Sequence, residues 1–466
     1  MKVKSKKKIT PYCYLFFSIV SFLLLIVYPL LYTFYISLTN LGTGHILNCT
    51  EAKKIILEEV IYPDNAAILD FNILEKNNAF ILYMKQSERK AYQIFLPRNT
   101  QTEEILTGTQ ISIDEYKKLS SCKNTATSEQ FIEHLTHLER TTFQIENRIY
   151  KLTSLTTLSE VQKRYKELNT STIIDTKTNS TYQPDFSTGY FETPSGDRLL
   201  PGFVTRIGFQ NYLNFFKGTS FGIPFLKIFL WTLMWAAGST ISAFIFGLIL
   251  ASLLSSQTIY GKKIFRVGFL IPYAIPVFLS AMVWSAIFNF SFGPMNKLVS
   301  YILHIKIPWL LDPLWAKLAC LMVGLWVGFP YMMLICLGLI QSIPQDLYDA
   351  AKIDGAGFIH RFTKITFPSL YKPMLPILIG TFAFNFNNFN LIYLFSGGNP
   401  PMVDTNTMGG ETDLLISYTY KLAFGPSGSN NFGLASAIAV IIFILIASMS
   451  IFNFKISGVF KEEESL

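Results

Sequence analysis

The chain has 466 residues, of which 50% are hydrophobic and only 15% charged, against about 25% charged in an ordinary soluble domain. That excludes a purely aqueous fold and a disordered chain alike. The net charge of +8 does not point to nucleic acid, because residues 41–210 hold 19 Lys/Arg against 21 Asp/Glu and all the basic excess lies elsewhere.

Six apolar stretches are long enough to cross a bilayer, at 12–38, 226–254, 267–288, 315–341, 373–395 and 432–453. The first follows MKVKSKKK, runs well past a signal-peptide core and has no small-x-small cleavage site, so it reads as a retained anchor. Lys2, Lys4, Lys6, Lys7 and Lys8 before it, and Lys262, Lys263 and Arg266 between the second and third spans, face the cytoplasm by the positive-inside rule. Six crossings then put the 342–372 loop and the 455–466 tail on that same side. The expected organisation is a cytoplasmic N-terminus and first span over 1–40, an extracytoplasmic insert over 41–205, a transmembrane core over 206–454, and the tail. Overall this is an all-α polytopic membrane protein interrupted by one large insert.

Within the insert, Ala79 to Met84 and Tyr92 to Leu96 read as strands, whereas Glu129 to Leu168, with apolar residues three and four apart, reads as helical. The expectation is an α+β domain. Thr170 to Gly202, rich in Ser, Thr, Pro and Gly, reads as an extended return to the membrane. Glu133, His134 and His137 resemble a metal-motif fragment, but the order EHxxH is not the zinc-protease pattern, and no metal is expected. Cys13, Cys320 and Cys336 fall in spans as small buried apolar residues; Cys49 and Cys122 lie outside, and whether they pair is left open.

None of the spans contains Asp, Glu or His, and Lys227 and Lys317 sit at span ends, where a long stem reaches the interface. A proton- or sodium-coupled carrier needs an intramembrane ionisable group, retained despite a cost of about 2.5–3.5 kcal/mol. A P-loop is missing too: Gly261-Lys262 has no glycine five residues earlier. No nucleophile or acid–base constellation can be assembled, so no catalytic residue and no cofactor are expected in this chain.

The most specific signal is SIPQDLYDAAKIDGAGFIHRFTKITFP, Ser342 to Pro368. Ser342 and Gln345 make a capping box, Pro344 suits a first turn and Gly355 supplies a left-handed stop, so a helix of about three turns is expected. Leu347, Ala350 and Ala351 share a face shallow enough for another backbone to approach, with Asp346 and Asp349 at its rim; an ordinary interfacial helix is the alternative. Asp349-Ala350-Ala351, Gly355, Ile365 and Phe367-Pro368 resemble the E-A-A-x3-G-x9-I-x-L-P signature of permease subunits in bacterial ABC importers, with Asp for Glu and Phe for Leu. WVGFPYMMLICLGL, GTFAFNFNNFNLIYLF, TDLLISYTYKLAF and NFGLASAIAVIIF extend the resemblance, from about Phe209 to Phe454, to the maltose/maltodextrin type of that family. The family has further spans ahead of its insert, where this chain has one.

That resemblance implies the type I ABC importer permease fold in a bacterial inner membrane, with both termini cytoplasmic. It implies docking to ATPase subunits through the 346–368 loop, with Asp349, Ala350, Ala351, Gly355, Ile365 and Pro368 in the contact. The partners it implies are a second permease (MalG-like), two ATPase subunits (MalK-like) that bind ATP and Mg, and an extracytoplasmic sugar-binding protein.

A neutral sugar needs apolar faces, amides and hydroxyls without fixed charge. In the fifth span Thr381, Asn385 and Asn388 fall on one helical face with Phe384 beside them. Gly328 and Pro330 are expected to break the fourth span, where unwound backbone needs a cavity or a protein neighbour. A single intramembrane Asn serves interhelical bonding as readily as a ligand; the resemblance implies sugar contact for Tyr273, Gly328, Tyr331, Thr381, Phe384, Asn385 and Asn388, leaving Asn387 and Asn390 as interhelical bonds. An importer of another small polar solute, an ion-coupled sugar carrier and a membrane-anchored receptor are the rival readings.

Overall fold

A computed structural model describes residues 15–457 except 77–78, 88–89, 98–104, 121–140, 155, 170, 218, 256–259, 404–407 and 426–429. It divides into two compact units, one made of the chain up to Thr43 together with Thr205 onward, the other of Gly44–Val204. The chain enters through α1 (Leu15–Ser37), apolar throughout, with one π-helical turn at Leu23–Val27. Its last turn is fixed by Asn211, whose Nδ2 donates to the carbonyls of Ser37 and Thr39 at 2.8 and 2.9 Å.

The Gly44–Val204 unit starts with α2 (Cys49–Glu58), opened by a capping box in which Asn48 accepts from Glu51 N and Glu51 accepts from Asn48 N. Eight strands follow, β1 (Val60–Ile61), β2 (Ile68–Lys76), β3 (Ala79–Ser87), β4 (Lys90–Pro97), β5 (Ile105–Ile111), β6 (Thr142–Ile145), β7 (Arg148–Leu152) and β8 (Thr157–Lys163), with α3 (Ile113–Ser120) between β5 and β6. Their order is β1-β8-β2-β3-β4-β5-β6-β7, and β7 pairs back with β8, so β2–β8 form a closed ring without free edges. Apolar residues two apart, Leu69/Phe71, Leu82/Met84, Tyr92/Ile94 and Phe143/Ile145, fill its interior as the pleat requires. A second sheet, β9 (Tyr165–Asn169), β10 (Thr172–Asp175), β11 (Thr181–Asp185), β12 (Tyr190–Glu192) and β13 (Arg198–Leu199), is an antiparallel meander. Its core includes Tyr165, Ile173, Phe191 and Phe203, packed with Ala52 and Ile56 of α2.

Two expectations fail here. Of the helix expected over Glu129 to Leu168, residues 129–140 lie outside the described residues, and from Thr142 onward the chain forms strands β6–β9 instead; two-residue turns such as Glu146–Asn147, where Glu146 takes a φ of +55°, interrupt the period of two and imitate helical spacing. The 170–202 stretch is not a plain extended return but contains β10–β13.

The other unit continues through α4 (Gln210–Lys217), α5 (Thr219–Ser255), α6 (Lys262–Ala274), α7 (Val277–Ile287), α8 (Pro294–Leu303), α9 (Pro313–Gln341), α10 (Gln345–Ile353), α11 (Phe358–Arg361), a π turn at Phe362–Thr366, α12 (Phe367–Phe386), α13 (Phe389–Phe395), α14 (Leu415–Phe424) and α15 (Phe432–Ser457). Among the described residues four helices are each long and apolar enough to span a membrane: Leu15–Ser37, Pro224–Ser255, Pro313–Gln341 and Phe432–Lys455. The third predicted span is instead α6 and α7, bent by 91° at Ile275–Pro276, because proline forces Ile275 out of the helical region. The fifth is α12 and α13, interrupted at Asn387–Asn388. The expected break at Gly328 and Pro330 does not occur: α9 runs unbroken through both.

Candidate functional site

Near the end of α12, Asn385 donates through Nδ2 to Thr240 Oγ1 of α5 at 3.1 Å, while its carbonyl accepts from Trp235 Nε1 at 3.0 Å. One turn earlier the Thr381 hydroxyl donates to the Ile377 carbonyl, and Phe384 between them is exposed. Asn388 does not share this face. The helix ends at Phe386, Asn387 is non-helical, and Asn388 caps α13 by accepting from Leu391 N at 3.4 Å. Asn387 and Asn390, expected as interhelical bonds, are exposed, whereas Asn385 makes such a bond.

Gly328 lets α9 approach α5 closely, since a Cβ there would lie 3.1 Å from Ala243 Cβ. Thr240 and Ala243 are about one turn apart, so Asn385 and Gly328 meet α5 on adjacent turns. One turn beyond Gly328, Tyr331 stacks on Tyr273 at the end of α6, with centroids 6.5 Å apart and planes 18° from parallel. Both rings stay open, Tyr331 at 40% and Tyr273 at 58% exposure. The two tyrosines and Asn385 thus supply flat apolar faces and an amide with no fixed charge, which suits a hydroxyl-rich neutral ligand. Thr240 is the residue sequence reasoning missed; its signal is the hydroxyl run Ser239, Thr240 and Ser242 inside an apolar helix.

The loop after α9 forms differently at its start and as expected at its stop. Ser342 caps nothing downstream: its Oγ donates to the Leu339 carbonyl at the end of α9, and Pro344 becomes the N-cap of α10. Gly355, at φ +76°, closes a Schellman motif in which Ala356 N donates to Ala351 O and Gly355 N to Lys352 O. Leu347 and Ala350 are exposed, Ala351 half-buried. Asp349 accepts from Lys352 Nζ at 2.7 Å, and that bond holds its carboxyl below the usual aspartate range. The hydroxyls of Tyr348 and Thr366, 2.9 Å apart, tie α10 to the base of α12. Ile365 sits half-buried in the π turn, and Pro368 occupies the first turn of α12.

A second polar feature has no counterpart in the sequence reading. Asp413, with no exposed surface, accepts from Gly410 N, Ser417 Oγ and Lys421 Nζ at 2.7–2.8 Å. Gly398 must be glycine, because its φ is +82° and a Cβ would overlap the Asp413 carboxylate and the Lys421 ammonium. Lys317 likewise pairs with Glu411 at 2.6 Å, beneath the Trp231 ring. Among the described residues no group of three His, Cys, Asp or Glu could hold a metal. Cys49 is free; Cys122, Glu133, His134 and His137 lie outside the described residues.

The family described as "Binding-protein-dependent transport system inner membrane component" matches residues 243–457, and "Maltose transport system permease protein MalF P2 domain" matches 47–208. A Vibrio parahaemolyticus protein named "Maltose/maltodextrin transport system permease protein MalF" is 33% identical over 461 residues, covering 97% of this chain and 86% of its own. A protein of that name from Yersinia pestis is 43% identical over 291 residues, covering 61% of this chain and 55% of its own. Among solved structures, a bacterial ABC transporter involved in alginate import aligns over 54% of this chain and 83% of that one, at 20% identity and a TM-score of 0.46.

Proposed function

We propose, because this chain belongs to the MalF family of binding-protein-dependent permease subunits, that it carries maltose- or maltodextrin-like oligosaccharides inward along a path shared with a second, MalG-like permease. The chain is a multi-pass inner-membrane transport subunit and not an enzyme; the ATPase activity of such importers resides in separate subunits. In this reading both termini are cytoplasmic, and two MalK-like subunits bind ATP and Mg. A binding protein delivers the sugar on the side of the 41–205 insert.

Sugar rings stack on Tyr273, Tyr331 and Phe384, and their hydroxyls bond to Asn385, Asn388 and Thr381. Gly328 keeps the wall between them low. Closure of the ATPase pair pushes on the face of Leu347, Ala350 and Ala351, with Asp349 at its rim. Because Gly355 stops α10 and Tyr348 locks it to Thr366, near Ile365 and Pro368, the push reaches α12 as a rigid displacement rather than being absorbed in the loop. The observation that carries the reading is this exposed, locked helix directly before the helix that bears Thr381 and Asn385.

The test is reconstitution of the chain with its candidate permease, ATPase and binding proteins in vesicles. Sugar-stimulated ATP hydrolysis that survives a protonophore is expected. Uptake without an ATPase partner, collapsing with the protonophore, would establish an ion-coupled carrier instead.

A further inference from the structure

Beneath α10 the membrane unit holds a cavity of about 480 Å³ that transport of a neutral sugar does not use. Its walls come from the last turns of α5 and α9 and from the inner side of the loop that follows. Both helices are bilayer-spanning and end here, so the cavity lies at the depth of the inner-leaflet headgroups, where basic pockets between helices take anionic lipid heads.

Its chemistry is cationic and unsatisfied. Arg361, half-buried on the wall, makes no ion pair among the described residues. Lys352 reaches the rim while paired outward to Asp349. Ser252 Oγ is buried on the wall without a hydrogen-bond partner among the described residues. Two residues further along α5, the Leu254 carbonyl accepts from Arg266 at 3.4 Å, and the Arg266 Nε is left buried without a hydrogen-bond partner among the described residues. A buried donor without a partner costs free energy unless a ligand supplies the acceptor. Phe358 and Phe362 line the rest. Apolar rings suit the glycerol and acyl root of a lipid, whereas free phosphate has no apolar part to bury against them.

We propose that this cavity holds the phosphodiester headgroup of an anionic phospholipid, with Arg361 and Ser252 as its donors, and so ties the state of α10 to the composition of the inner leaflet. The proposal rests on the cytoplasmic placement of the 342–372 loop. The test uses the complete transporter, purified and delipidated, with native mass spectrometry after titration with phosphatidylglycerol, phosphatidylcholine or inorganic phosphate.

The expected result is selective retention of phosphatidylglycerol, weakened about five-fold or more in Arg361→Gln, largely kept in Arg361→Lys, and not displaced by millimolar phosphate. Equal retention of both lipids, or unchanged retention in Arg361→Gln, overturns the site. Displacement by inorganic phosphate overturns the lipid and makes it a free-anion site. Sugar-stimulated ATP hydrolysis of the wild type in phosphatidylglycerol nanodiscs is read in parallel, so failure of the transport reading is seen separately from failure of the lipid site.

Discussion

The two units turn opposite surfaces outward. The ring of β2–β8 hides Phe143, Tyr150, Leu82 and Met84, and its ion pairs, such as Lys90 with Glu146, sit on the outside. The membrane unit turns many of its Leu, Ile and Phe side chains outward and, beside a buried apolar core that includes Trp235, Phe288 and Phe386, hides Thr232, Thr240, Ser417 and Asp413. In water, burial of apolar surface drives packing; in lipid that drive is gone between helices, so close approach at glycine and polar pairs fix the geometry. The same substitution therefore means different things in the two places.

The largest expected effect follows from the buried pair. Asp413→Ala strands the Lys421 ammonium and should cost about 3–5 kcal/mol, seen as loss of thermal stability of the purified chain. Asp413→Leu with Lys421→Met should recover much of it, and no recovery would mean the charges do more than position the loop. In the β ring, Leu82→Ala should cost about 2–5 kcal/mol by leaving a cavity. Protease protection of the 44–204 unit should fall while α9 and α15 stay protected; joint loss would erase the contrast between the units.

Gly355→Val comes next. No atom stands within 4 Å of a Cβ there, so the fold loses only the left-handed backbone preference, about 1–2 kcal/mol. ATP hydrolysis should nevertheless lose its stimulation by sugar, and unchanged uptake would count strongly against rigid coupling. The smallest effect concerns pH. Asp175 has no exposed surface, and burial alone would raise its pKa; the amides of Lys177 and Thr178 and the Arg164 guanidinium outweigh burial and hold it low. Its contribution is thus complete above its unfolded pKa of about 3.9 and is lost as pH falls through the lower folded value. Between pH 5 and pH 2 the wild type should lose more stability than Asp175→Asn, and equal loss would remove the role.

Much of this was legible from residue patterns. Gly355 was readable because a left-handed stop has few substitutes, and the apolar runs were readable because hydropathy depends on composition rather than partners. Ser342 was misread since the end of α9 takes its hydroxyl first. Asn388 was set on the face of Thr381 and Asn385 because a local pattern cannot reveal that α12 stops two residues before it. The strands at 142–169 were missed because short hairpins scramble the period, and Asp413 with Lys421 because their pairing depends on a loop closed by Gly398 and Gly410.

The most direct test of the account places a photo-crosslinking amino acid at Leu347 in the assembled transporter in intact cells. A covalent product with the ATPase subunit, and no labelling of a cysteine at the same position by a membrane-impermeant reagent from outside, is the predicted outcome. Labelling from outside, or no ATPase product, would contradict it.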